Sequence, residues 1–123
     1  MQKFHGNTED ASAPIIGAGY WKKGTQIKGI VTGVFKTTVG PAYNLTLDRE
    51  ISVPGDVLSP EQKGTVTGTE FSVGALKGFE MALRAAGVSV LIVGDQITIK
   101  CTGSEDTGKG SPRVNFDVEV IRP

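Results

Sequence analysis

The segment "QITIKCTG", residues 96–103, alternates without a fault. Ile97, Ile99 and Cys101 fall on one side, and Gln96, Thr98 and Lys100 on the other. "RVNFDVEV", residues 113–120, repeats the pattern, with Val114, Phe116, Val118 and Val120 set against Arg113, Asn115, Asp117 and Glu119. A period of two belongs to strands with one buried and one solvated face. Two such strands joined by a polar loop make a hairpin, and its apolar face has to be covered by more sheet or by a helix.

The rest of the chain supplies that cover. "TQIKGIVTGVFK", from Thr25, is rich in β-branched residues, but Gly29 and Gly33 lie inside it. Interior glycines mark a bulge or bend, and the apolar phase shifts between Ile27 and Ile30. Tyr43, Leu45 and Leu47 alternate with Asn44, Thr46 and Asp48 as a second strand, after a turn at Gly40-Pro41. "SVPGDVLSPEQKG" reads as loop, and "TVTGTEFSV" as a third strand. The period then changes. Leu76, Phe79 and Leu83, flanked by Ala75, Ala82 and Ala86, predict a helix capped by Ser72 and stopped by Gly87, with Gly78 a weak point inside it. The run "VSVLIVGD" fits neither period. Residues 1–19 are small and polar and read as an N-terminal arm, leaving residues 20–123 as one domain. The order is β-β-β-α-β-β, an all-β class with one helix.

Composition excludes several functions. Thirteen basic and thirteen acidic side chains cancel. Their distribution is uneven, however: residues 20–49 hold five cations against Asp48 alone, a net of +4, while residues 50–107 hold four cations against eight carboxylates, a net of −4. Such a chain can present a basic face while neutral overall. A single cysteine, Cys101, excludes an internal disulfide and a cysteine-rich metal site, and the single His5 sits in the polar leader. No signal-like or membrane-spanning run is present, which predicts a cytoplasmic protein.

"GSEDTGKGSP", residues 103–112, has the G-x-x-x-x-G-K spacing of a phosphate-binding loop in Gly103, Gly108 and Lys109. That loop needs a hydroxyl at the next position and a helix behind it. Gly110 and Pro112 provide neither, and Glu105 and Asp106 would face a phosphate. The stretch is a hairpin loop, with no nucleotide cofactor expected. No nucleophile–base pair, metal-spaced cluster or carboxylate pair supports catalysis, so the chain is read as a non-enzyme without cofactor or metal.

This order, with Gly29, Val31 and Gly33 in the first strand, "FSVGALKGFEMAL" leading into the helix, and "GDQITIKCTG" and "RVNFDVEV" at the end, resembles the oligonucleotide-binding (OB) fold. That is a five-stranded Greek-key barrel with its helix between the third and fourth strands. Over about residues 20–122 it is similar to bacterial and phage single-stranded DNA-binding proteins. The resemblance implies binding of single-stranded DNA with little sequence preference, protecting it during replication or recombination. A barrel serving as an assembly module, without nucleic acid, is the alternative.

Single-strand binding needs cations for phosphates and rings for bases. Tyr20 and Trp21, beside Lys22 and Lys23, fit both needs, although Trp21 fits a plug at the barrel end equally well. Phe35, Lys36 and Tyr43 flank the first hairpin loop, with Tyr43 in phase with the core. Lys28, Arg49, Lys100, Lys109 and Arg113 are outward or loop cations. An arm with something to lie against, on a barrel with open edges, predicts a homo-oligomer, a dimer or tetramer.

Overall fold

The structure is a computed structural model describing residues 13–37, 40–74, 76–105, 108 and 113–123. The rest of the arm, residues 38–39, Ala75 and loop residues 106–107 and 109–112, Lys109 among them, lie outside the described residues.

The strands are β1 (Ile15–Ile16), β2 (Gln26–Thr37), β3 (Gly40–Pro54), β4 (Leu58–Ser59), β5 (Thr65–Gly74), β6 (Gln96–Glu105) and β7 (Arg113–Ile121), with one helix, α1 (Lys77–Ala85). They form a single mixed sheet in the order β4-β1-β5-β3-β2-β6-β7. An all-β architecture with one helix is what the alternation demands. The β6–β7 hairpin pairs in the expected phase, Ile99 opposite Val118 and Cys101 opposite Phe116. Ile97, Ile99 and Cys101 are buried beside Val31, Leu45, Val53 and Phe71.

Glycines in the long strands do the bending. The β2–β3 register slips between Val31 and Gly33. At Gly29, paired with both Leu47 and Ile97, an added Cβ would lie 2.6 Å from the Thr46 carbonyl oxygen. Only glycine lets β3 come so close.

Four expectations change. The stretch read as arm enters the sheet at Ile15–Ile16, between β4 and β5, and Ile16 is buried. The loop at residues 52–64 carries the end of β3 and all of β4. Ser72 does not cap the helix: it is buried in β5, where its hydroxyl donates to the Ala13 carbonyl (3.0 Å) and meets the Asn44 side chain. Pairing with β3 holds β5 extended through Gly74, so α1 begins after Leu76, without a side-chain cap. Gly78, weak by helix propensity, is where α1 lies against β7, and a Cβ there would overlap the Val114 carbonyl oxygen.

The run at residues 88–95 is a loop, outside any helix or strand but tied down by hydrogen bonds. Leu91 is buried and Val90, Ile92 and Val93 are exposed. Val31 bonds both Gly94 and Asp95 through its backbone (2.8 Å each), and the Ile92 N–H donates to the Asp95 carboxylate (2.9 Å). Asp95 is fully buried and gripped by two 2.9 Å bonds from Arg122, whose guanidinium also donates to the Val90 carbonyl (3.2 Å).

Candidate nucleic-acid interface

Lys22, Lys23, Gly24 and Thr25 form a tight turn, closed by the Thr25 N–H on the Lys22 carbonyl (2.9 Å) with Gly24 at φ 92°. A positive φ at the third position is what glycine provides without steric cost. Two further bonds, Gly24 N–H to the Cys101 carbonyl and Cys101 N–H to the Thr25 carbonyl (2.8 Å each), clamp this turn to β6. Just beyond, the β6 register slips between Cys101 and Gly103. Trp21, Lys22, Lys23, Thr102, Gly103 and Ser104 therefore border one open groove of about 400 Å³. Among the described residues no carboxylate lines it.

A second groove, of about 310 Å³, lies further along β2 between Gln26, Lys28, Leu47, Asp48, Arg49 and Ile51. It exists because the β3–β5 register breaks between Thr46 and Ile51, which throws Asp48, Arg49 and Glu50 outward. Arg49 Nε is 3.7 Å from the Asp48 carboxylate, both exposed, a spacing that contributes little.

The remaining predicted residues separate. Lys28 and Lys100 are exposed on one face, but β7 places Glu119 in the row of Lys28 and Asp117 beside Lys100. Lys36 and half-buried Phe35 lie towards the far end of β2, roughly 25 Å from Lys28 along the strand. Arg113 is engaged: it pairs with Glu105 (2.7 Å), donates to Asn115 (3.3 Å) and rests on the Met81 sulfur (3.7 Å). The Arg113 bond first, and a bond that the Asn115 amide donates to the same carboxylate (3.3 Å) second, hold the Glu105 carboxyl below its ordinary range.

The rings also need correction. Trp21 is 6% exposed and packs edge-on between Tyr20 and Phe116, so no face is free for a base. Tyr43 is buried against Phe79, with its hydroxyl accepting the Leu91 N–H at 3.4 Å, and burial is the main cause raising its pKa. Tyr20 and Phe35 keep partly open rings. The Tyr20 phenol is likewise raised by burial.

The reading from residue types missed Thr102 and Ser104 as groove wall, although alternation puts Thr102 outward. It also missed the Asp95–Arg122 pair, for which no local signal exists. Among the described residues no three potential metal ligands cluster, and no helix is long and apolar enough to cross a membrane. No family model, curated protein or solved structure matches the chain.

Proposed function

We propose that this chain binds single-stranded DNA, with little sequence preference, through the groove at Lys22 and Lys23. The observation that carries the reading is a lysine pair that lines, with Thr102 and Ser104, a groove with no carboxylate among its described lining residues. Ammonium groups and hydroxyls suit phosphate oxygens and read no base edge. Tyr20, partly open and two residues before the pair, would offer a ring for stacking, and Arg49, exposed beside Asp48 in the second groove, would offer a further cation. Lys28 and Lys100 share their face with carboxylates and are assigned no phosphate here.

The fold proposed with it is the OB barrel. Its support is the order of the five long strands, β5-β3-β2-β6-β7, which numbered among themselves reads 3-2-1-4-5, with α1 between the third and fourth. The short β1 and β4 extend the β5 edge.

Trp21, the one tryptophan, lines the same groove as the lysine pair, so its fluorescence reports on it. Titration with oligo-dT should give a saturable change, weaker with duplex DNA of equal length. No change with either at low salt would remove the reading. The assembly module remains a second reading, favoured by one observation: Trp21 and Tyr43 are spent on the core while Ile30, Ile92, Val93 and Ile121 are exposed.

A further inference from the structure

The outward side of β2, β6 and β7 is a nine-residue grid whose rows are set by strand pairing. One row runs Gln26–Lys100–Asp117, the next Lys28–Thr98–Glu119, and the third Ile30–Gln96–Ile121. The intervening Ile27, Gly29, Ile97 and Ile99 are buried, so all nine side chains share one face. Its charges are sorted by column. Lys28 and Lys100 stand on β2 and β6, and Asp117 and Glu119 on β7, for a net charge of zero. Ile30 and Ile121 at the third row are about half exposed, and the loop with exposed Ile92 and Val93 is bonded to β2 beside them.

We propose that this face packs on the same face of a second copy, about a two-fold axis running along β6. Rotation about that axis exchanges the β2 and β7 columns and keeps each row level. Lys28 then meets Glu119 of the other copy, Gln26 meets Asp117, and Ile30 meets Ile121, each contact occurring twice as isologous symmetry requires. Thr98 and Gln96 meet their own equivalents on the axis, two hydroxyls and two amides that can bond each other. The Lys100 pair on the axis is flanked by both Asp117 carboxylates. Sheets stacked face to face stand about 10 Å apart, within reach of lysine and glutamate together.

A nucleic acid fits this face poorly, because Asp117 and Glu119 form its outer column. The charge sorting commits the occupant to a surface with the opposite columns, which this chain itself carries. The inference does not rest on the nucleic-acid reading. The axis keeps the Lys22–Lys23 grooves of both copies at the same end of the pair.

The test is sedimentation of the full chain, wild type and charge-reversed. Wild type should sediment as a dimer at tens of micromolar. Lys28→Glu alone and Glu119→Lys alone each place like charges opposite each other twice, and each should weaken dimerisation by about tenfold or more. Mixing the two single variants, or combining both changes in one chain, should restore it, because opposite charges face each other again. Both positions are exposed, and a wild-type far-UV spectrum with a single cooperative melting transition for each single variant establishes that it is folded, even where loss of the partner lowers its melting temperature. A monomeric wild type would overturn the proposal. So would single variants that associate as wild type does, or failure of the mixture to restore association.

Discussion

The Trp21 indole stands edge-on to the Phe116 ring, with centroids 5.0 Å apart and planes at 89°. The contact is one link of a chain, Tyr20–Trp21–Phe116–Phe79–Tyr43, that joins the turn before β2 to β7, α1 and β3 through edge-to-face rings. Such pairs add about 0.5–1.5 kcal/mol each beyond the area they bury. Trp21 is therefore the joint between the lysine turn and the core.

Trp21→Ala should destabilise the fold by about 3–5 kcal/mol in urea titrations, through the cavity it leaves. Trp21→Phe should cost much less. The indole N–H is buried with no hydrogen-bond partner among the described residues, and phenylalanine removes that donor while keeping a ring against Phe116. Equal losses for the two variants would show that the ring contacts matter less than supposed.

Asp95 and Arg122 tie the loop before β6 to the end of β7. The Arg122 bonds come first, and the Ile92 N–H adds to them, in holding the Asp95 carboxyl below its ordinary value. A carboxylate depressed in the folded state contributes stability above its unfolded pKa, near 3.9, and loses it as the pH falls through the folded value. Asp95→Asn should cost about 1–3 kcal/mol near neutrality, moderated because Arg122 is half exposed. The gap between variant and wild type should narrow as the pH falls through the folded value, which lies below the ordinary one. Parallel pH–stability curves would contradict this.

Gly78→Ala tests the contact of α1 with β7. Propensity alone favours alanine by about 1 kcal/mol. The Val114 carbonyl occupies the space of the new Cβ, so the variant should instead lose about 1–3 kcal/mol. Gly68→Ala is the control: nothing lies within 4 Å of its added Cβ, and thermal melting should show a neutral or slightly stabilised protein.

The parts that could be read from residue order are those whose pattern is local. Alternation placed β6 and β7, β-branched runs placed β2 and β5, and glycines marked the slip in β2. What escaped is set by partners distant in the chain. Ile15–Ile16 is too short for any period to show and becomes strand only because β4 and β5 receive it. Ser72 has the chemistry of a cap, but pairing with Asn44 on β3 claims it first. Trp21 beside two lysines looks like a stacking site until Phe116, far along the chain, closes over it. Lys28 and Lys100 look like part of one cationic face until the β7 register sets Asp117 opposite Lys100 and puts Glu119 at the far end of the row that Lys28 begins.

The central claim is that phosphates are held at the Lys22–Lys23 groove, and salt dependence of oligo-dT binding tests it most directly. Binding should weaken with salt, with a log–log slope of about −0.7 for each phosphate neutralised. Replacing both Lys22 and Lys23 by alanine should make the slope shallower by about 1.4, while Arg113→Ala, whose guanidinium is occupied by Glu105, should leave it unchanged. A double variant with the affinity and slope of wild type, or a wild type that does not bind at low salt, would contradict the account.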